Sequence, residues 1–186
     1  MNPEIKWIAE ARKHVGHREI GSTNKSPLIE SWCRELGGAW VIGQPWCGTF
    51  VAHCLKTSGF TKANVNSRLA SWNKKRNDQA KVYPFNWYGA KDYINEGGYK
   101  LSKPAYGCVA VKSRTGGGHV CFVIGKNAKG QLVCLGGNQG NAVSYALYNI
   151  SDFDGFFWYG ETAKPAEFRY NLPILSNITA TKVTEA

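Results

Sequence analysis

Residues 105–135 read AYGCVAVKSRTGGGHVCFVIGKNAKGQLVCL, a stretch in which three short apolar runs alternate with turn residues. The runs are Cys108 to Val111, His119 to Ile124 and Leu132 to Leu135. Short apolar runs bounded by glycine or asparagine are typical of β-strands. Asn127-Ala128-Lys129-Gly130, between the last two runs, is typical of a hairpin turn. The stretch therefore predicts antiparallel strands.

Apolar residues before this stretch recur at helical spacing instead. Three helices are predicted there, from Glu4 to Val15, from Pro27 to a stop at Gly37-Gly38, and from Pro45 or Trp46 to Ser58. Ser26 before Pro27 is a typical helix cap followed by proline in the first turn. Short helices are also predicted at Ser67–Lys75 and Trp87–Asn95, and further strands at Val143–Tyr148 and Phe156–Tyr159. Helices first and an antiparallel sheet second predict an α+β fold.

The length of 186 residues suits one domain, which we place at residues 1–160. Residues 161–186 have no clear period, so we expect an extended C-terminal tail. No apolar run reaches the roughly 18 residues of a membrane span, so stable membrane insertion is not expected. The N-terminus lacks the layout of a signal peptide, which predicts folding in the cytosol. We expect a monomer.

The formal net charge of +10 favours anionic partners such as nucleic acid, acidic lipid headgroups or an anionic cell wall. Lys74-Lys75-Arg76 would support nucleic-acid binding, but no recognised motif accompanies it, so no nucleic-acid partner is expected. Six cysteines form no C-x-x-C pair, and five of them fall in predicted core runs. A zinc site from His53 and Cys54 lacks usable spacing, so neither metal nor cofactor is expected.

Cys47 differs from the other cysteines because Pro45-Trp46-Cys47-Gly48 reads as a loop turning into a helix. Free backbone N–H groups and the dipole at a helix start favour a thiolate. His119 follows Gly116-Gly117-Gly118 at the start of a strand, where its imidazole can act as a general base. These parts predict a cysteine hydrolase, with the Cys47 N–H as oxyanion donor. His53 would face away from Cys47 on the same helix.

A Cys–His pair needs a third group to orient the imidazole. Asn138 ends the strand that pairs with the strand of His119, so we expect its amide oxygen to accept the imidazole N–H. Gln139 is the next candidate, but alternation points it to the opposite face. For substrate binding we consider Gln44 as a second oxyanion donor and Trp46 as a wall of the cleft. Further candidates for contact with substrate are Trp72, Gly118 and Gln139.

The motifs Pro45-Trp46-Cys47, Gly118-His119-Val120 and Leu135-Gly136-Gly137-Asn138-Gln139 together resemble those of the CHAP-like, papain-fold peptidoglycan amidohydrolases. The likeness is strongest to a phage-encoded subgroup that includes endolysins, and it extends to the stretch from Gly16 to Gly21 and to residues 104–143. Most of residues 5–160 are covered, but residues 61–103 match poorly.

The resemblance implies a papain-like fold, with Cys47 as nucleophile, His119 as base and Asn138 as the polar third residue. Many CHAP enzymes carry a glutamate two positions before that asparagine, where this chain has Gly136. The implied substrate is bacterial peptidoglycan, cut at the muramoyl–L-alanine amide or within the stem or crossbridge. An endolysin of this kind is made in the host cytoplasm and acts on the cell wall after release.

Other functions remain open on the sequence. The same fold is compatible with a non-catalytic wall-binding or virion component, and an enzyme with the same chemistry could be an injected antibacterial effector. A third possibility is a basic module that binds nucleic acid through aromatic stacking. Replacing Cys47 by alanine distinguishes the catalytic hypotheses from the others.

Overall fold

A computed structural model describes residues 4–58, 83, 84, 86–95, 98–160, 162, 164–176, 178 and 180. Within these ranges the helices are α1 (Lys6–Lys13), α2 (Pro27–Glu35), α3 (Cys47–Thr57) and α4 (Asp92–Asn95). The strands are β1 (Tyr99–Leu101), β2 (Val109–Arg114), β3 (Gly117–Lys126), β4 (Leu132–Gly136), β5 (Ser144–Tyr148) and β6 (Gly155–Trp158). The 3₁₀ turns in the same ranges lie at Ala39–Val41, Ile150–Asp152 and Glu167–Tyr170. The α+β class is confirmed.

The first three helices begin where their local sequence allows. The Ser26 hydroxyl accepts a hydrogen bond from the Ile29 N–H at 3.2 Å, and Pro27 follows in the first turn, so the predicted cap of α2 is confirmed. α1 is shorter than predicted because Ile5 is extended, with φ −66° and ψ 132°. α3 begins one residue inside the predicted start, because Trp46 has non-helical dihedral angles and acts as its N-cap.

The helix predicted at Trp87–Asn95 is wrong over most of its length. Only Asp92–Asn95 is helical, and the residues before it form turns in which the Gly89 N–H bonds the Asn86 carbonyl at 2.9 Å. The helix predicted at Ser67–Lys75 lies outside the described residues. No helix in the described ranges has the length and apolarity to cross a bilayer.

The six strands form one antiparallel sheet in the order β1-β6-β2-β3-β4-β5. The predicted pairing of the three central runs is confirmed, since β3 pairs with β2 on one side and β4 on the other. β1 was not predicted, because an alternation of only three residues, Tyr99-Lys100-Leu101, is too short to identify a strand. β3 is buried from His119 to Gly125, and α3 packs on β3 and β4. The packing brings the start of α3 to the start of β3.

The segment after Gly160 pairs with Lys126, at the end of β3 that is remote from His119. The Lys126 N–H bonds the Pro173 carbonyl at 2.9 Å, and the Leu175 N–H bonds the Lys126 carbonyl at 2.8 Å. The Tyr106 N–H also bonds the Arg169 carbonyl at 2.7 Å. Tail side chains that pack against the core are Tyr170, Leu172, Leu175 and Ile178.

Candidate active site

Cys47 is the first residue of α3, with 5% of its surface exposed at the base of a cleft. Backbone N–H groups in the first turn of a helix have no acceptor within that helix, and the helix dipole places partial positive charge there. The thiol therefore lies where a negative charge is stabilised, beside N–H groups that can donate to a second anion.

The imidazole of His119 lies beside the Cys47 thiol, close enough for each group to affect the ionisation of the other. Burial raises the pKa of Cys47, but contact with His119 and backbone groups of Gly48 and Val120 outweighs burial and lowers the pKa below its usual value. Burial lowers the pKa of His119, but its contacts with the Cys121 and Cys47 thiols leave it well above the usual value. These opposite shifts favour a thiolate–imidazolium pair.

Cys121 is a second thiol beside His119, two residues further along β3. Burial and contact with Cys134 raise its pKa well above the usual value, and the opposing effect of His119 is smaller. Cys121 therefore stays protonated under conditions in which Cys47 ionises. The nucleophile predicted from the sequence is the thiol whose surroundings favour the charged form.

Gln139 is the residue that holds the imidazole. Its Oε1 lies 3.0 Å from Nε2 of His119, and its Nε2 donates to the Ser144 carbonyl at 2.6 Å. Because the amide nitrogen is committed to a carbonyl, Oε1 must be the acceptor, so Nε2 of His119 carries a proton. Neutral His119 then has its lone pair on Nδ1. The Tyr148 ring stacks on the imidazole with ring centroids 6.0 Å apart, and its hydroxyl donates to Oε1 of Gln139 at 3.4 Å.

The expectation that Asn138 orients the imidazole is wrong for this geometry. Phe122 pairs with Leu135, and continuing that register would set Asn138 opposite His119. β4 ends at Gly136, however, and Asn138 turns into the left-handed region with φ 57°. The turn reverses the expected alternation, so Gln139 reaches the imidazole, while the buried Oδ1 of Asn138 has no hydrogen-bond partner.

Gly136 leaves the space that the Gln139 amide occupies. A Cβ at this position would lie 2.8 Å from Oε1 of Gln139 and 2.9 Å from Cβ of Cys121. Any side chain here would push the amide away from the imidazole. The absence of a side chain at Gly136 is therefore a condition for the contact between Gln139 and His119.

The cleft above Cys47 has a volume of about 370 Å³. Trp40, 69% exposed, meets Tyr88 edge to face with ring centroids 4.8 Å apart, and the two rings form an aromatic wall. The predicted substrate residues Gln44 and Gly118 both line the cleft. The full lining comprises Trp40, Val41, Gln44, Pro45, Cys47, Tyr88, Gly89, Ala90, Arg114, Gly116, Gly117 and Gly118.

Two other predicted substrate residues are not at the cleft. Trp46 is 1% exposed, and its indole N–H donates to Oε2 of buried Glu19 at 2.9 Å. Gln139 is fully buried and contacts His119 instead of substrate. Both corrections arise from burial, which residue type and local motif do not reveal. Trp72 lies outside the described residues.

The sequence interpretation missed Trp40, Tyr88 and Arg114 as cleft residues and assigned no role to Glu19. Trp40 precedes the cysteine helix, and Arg114 precedes the glycine run before His119, so proximity to each motif was a usable signal. Tyr88 had no such signal, because it is far from both motifs in sequence. The buried carboxylate of Glu19 accepts a hydrogen bond from the indole N–H of Trp46, which immediately precedes Cys47.

Among the described residues, a group suited to hold a metal ion lies away from the cleft. Glu10 and His14 at the end of α1 approach His53 of α3, with potential ligand atoms within 4.8 Å of one another. The expectation of no metal site rested on the spacing of possible ligands along the sequence around His53 and Cys54, and Cys54 does not join this cluster. Spacing along one segment did not reveal a cluster that two packed helices create.

Comparisons with protein-family models, curated proteins and solved structures found no match. The chemical interpretation of the cleft therefore relies on its own geometry. A thiol, an imidazole and an orienting amide meet there beside the backbone N–H groups of the first turn of α3, an arrangement suited to nucleophilic attack on a carbonyl.

Proposed function

We propose that this chain is a cysteine hydrolase with a papain-like fold that cleaves an amide bond of bacterial peptidoglycan. The observation that carries the proposal is the contact of Cys47 with His119, whose other ring nitrogen is held by Gln139. Of these two residues, Cys47 lines the open cleft. A structural cysteine would need none of this arrangement.

Acylation begins when the Cys47 thiolate attacks the amide carbonyl carbon and forms a C–S bond. The carbonyl electrons move to oxygen, and the Cys47 N–H donates to that oxyanion. Gln44, at the cleft edge, can supply a second donor from its side-chain amide. His119 then gives its proton to the leaving nitrogen, the C–N bond breaks, and a thioester remains on Cys47.

Deacylation uses the same groups in reverse. Neutral His119 takes a proton from water through Nδ1, since Gln139 keeps the other proton on Nε2. The hydroxide attacks the thioester carbonyl, the C–S bond breaks, and a carboxylic acid leaves. Cys47 departs as a thiolate and again faces imidazolium, so the enzyme is ready for another cycle.

The choice of substrate rests on the family resemblance and on charge. A net charge of +10 favours an anionic cell wall. In the cleft, Arg114 suits a carboxylate of the peptide stem. The Trp40–Tyr88 wall suits the apolar faces of sugar rings or stem residues. The bond is either the N-acetylmuramoyl-L-alanine amide or one within the stem or crossbridge.

Digestion of purified peptidoglycan with mass spectrometry of the fragments tests the proposal. Wild type, Cys47→Ala and the matched control Cys33→Ala are compared, because Cys33 is a buried thiol whose pKa is raised mainly by burial. We expect fragments from wild type and Cys33→Ala but none from Cys47→Ala. New L-alanine N-termini would identify an amidase, and cuts further along would identify an endopeptidase.

Two results would count against the proposal. Equal cleavage by wild type and Cys47→Ala would remove the thiol from the chemistry. An intact wall with all three folded proteins would remove peptidoglycan hydrolysis and favour a wall-binding protein without catalytic activity. The nucleic-acid alternative has less support, since no recognised motif accompanies Lys74-Lys75-Arg76 in the sequence.

A further inference from the structure

Glu10, His14 and His53 form a compact cluster between α1 and α3. Glu10 and His14 are four residues apart on the last turns of α1, so they share one face. Nε2 of His14 lies 3.0 Å from Oε1 of Glu10, and Nε2 of His53 lies 3.5 Å from the same oxygen. The three side chains thus converge through one atom each.

His53 has a buried ring nitrogen without a hydrogen-bond partner. Its Nδ1 lies 3.0 Å from Oε2 of Glu35, a carboxylate, so Nδ1 carries the proton. In the neutral ring, Nε2 then presents a lone pair. That lone pair points into the cluster, where Nε2 is buried and unsatisfied and its neighbour is another acceptor, Oε1 of Glu10. Two facing acceptors repel each other unless a proton or a metal ion lies between them.

The packing around the cluster holds its two imidazoles in place. Trp32 stacks on His53 at 5.1 Å and meets His14 edge to face at 5.0 Å, which holds both rings. Lys13 engages Oε2 of Glu10 at 2.7 Å, leaving Oε1 toward the imidazoles.

We propose that Glu10, His14 and His53 bind a divalent transition-metal ion of the zinc class, with Glu35 as the outer carboxylate that orients His53. Two imidazole nitrogens and one carboxylate oxygen are a ligand set that zinc accepts, and three protein ligands leave one position for water. A carboxylate on the distal nitrogen of a ligating histidine is the usual supporting contact. The ion would tie α1 to α3.

Zinc titration of chelator-treated, dialysed protein tests the site. The titration is done by calorimetry on wild type and on Cys47→Ala, since the Cys47 thiolate is itself a potential zinc ligand. We expect one equivalent to bind in both proteins and to raise the unfolding midpoint. Cobalt as a spectroscopic probe should then show bands of nitrogen and oxygen ligation without a thiolate charge-transfer band.

Variants then assign the ligands in the Cys47→Ala protein. Glu10→Gln and His14→Gln should each weaken zinc binding at least about 10-fold, and Glu35→Gln by about 10- to 100-fold. Glu30→Gln is the matched control, because Glu30 lies on the same helix as Glu35 and pairs with Arg34 at the surface. Circular dichroism checks that each variant folds. If His14→Gln does not fold, the zinc affinity of Glu10→Gln decides the outcome.

The site would be overturned by the absence of saturable zinc binding in folded wild type. It would also be overturned if folded Glu10→Gln bound zinc as tightly as its parent, or if cobalt showed thiolate ligation. None of these outcomes depends on peptidoglycan cleavage, so the metal site and the proposed function can fail separately.

Discussion

In the proposed mechanism, the orienting amide of Gln139 is the group on which the geometry of His119 depends most closely. Gln139 holds His119 in the tautomer whose free lone pair is on Nδ1. Without that acceptor, the imidazole loses its fixed orientation but keeps its basicity. The loss should therefore be smaller than the roughly 10²–10⁴-fold contribution of a general acid–base group.

We expect Gln139→Ala to lower kcat/KM by about 10- to 100-fold. The control is Asn138→Gly, which keeps the left-handed backbone at φ 57° and removes a side chain whose buried Oδ1 has no hydrogen-bond partner. Its kcat/KM should stay within about threefold of wild type. Hydrolysis rates on soluble wall fragments measure both values. A larger loss from Asn138→Gly than from Gln139→Ala would restore Asn138 as the orienting residue.

The ionisation of Cys47 and His119 predicts a pH dependence. The thiolate exists above the lowered pKa of Cys47, and the imidazolium exists below the raised pKa of His119, so the ion pair occupies the interval between. Hydrolysis should rise as the pH passes the first value and fall as it passes the second. A profile with both limbs is therefore expected.

Alkylation by iodoacetamide isolates the first of these ionisations, because the thiolate is the reacting form. Cys47 should be modified readily below pH 9.0, the ordinary pKa of a cysteine thiol. His119→Ala should move the inflection of the pH–rate curve to higher pH. Peptide mapping identifies the modified site. Cys54 is an internal control, because burial raises its pKa well above the usual value. An unchanged inflection in His119→Ala would show that His119 does not stabilise the thiolate.

At the scale of elements, the start of α3 and the cleft wall touch through Gly48. A Cβ on Gly48 would lie 2.5 Å from the Trp87 carbonyl oxygen and 2.8 Å from that of Tyr88. Both are backbone atoms, which cannot rotate away as a flexible side chain can. The Tyr93 hydroxyl also bridges this contact by donating to the Gly48 carbonyl at 2.8 Å.

Gly48→Ala should therefore lower the free energy of unfolding by about 1–3 kcal/mol through overpacking. It should also displace Tyr88 and raise KM for wall fragments. Gly117→Ala is the matched stability control, because a Cβ there has no atom within 4 Å and the backbone angle is ordinary. Urea denaturation measures both variants. Equal stabilities would mean that the segment at Trp87 and Tyr88 does not pack on α3 in solution.

At the scale of the whole molecule, the tail adds packing at the end of β3 remote from His119. Leu175 packs directly over Gly125, so closely that a Cβ added to Gly125 would lie 2.6 Å from Cδ1 of Leu175. Burial of a leucine contributes about 1.5–3 kcal/mol when complete. The tail is therefore expected to stabilise the fold without taking part in the chemistry.

Truncation after Gly160 should lower the free energy of unfolding by about 2–4 kcal/mol. The alkylation rate of Cys47 in the folded fraction should remain unchanged. A truncation after Ala180 keeps the contacts of Pro173 and Leu175 and serves as the control. Urea denaturation and peptide mapping give the two readouts. Loss of Cys47 reactivity in a folded, truncated protein would contradict the separation of tail and site.

Local sequence was sufficient for the class of fold and for the two principal groups of the site. The cap at Ser26, the three central strands and their hairpins depend on neighbouring residues, which periodicity and turn chemistry report directly. Cys47 at a helix start and His119 at a strand start were recognisable for the same reason. Their contact followed from the packing of α3 on β3.

Tertiary structure decided which side chains complete the site, because direction and burial depend on atoms distant in sequence. Asn138 adopts a left-handed backbone conformation after β4, so Gln139 contacts His119 in the place expected for Asn138. Burial against Glu19 removed Trp46 from the cleft, and an unpredicted loop contact paired Trp40 with Tyr88. Packing of two helices likewise assembled the cluster of Glu10, His14 and His53, since only the folded chain makes separate segments neighbours.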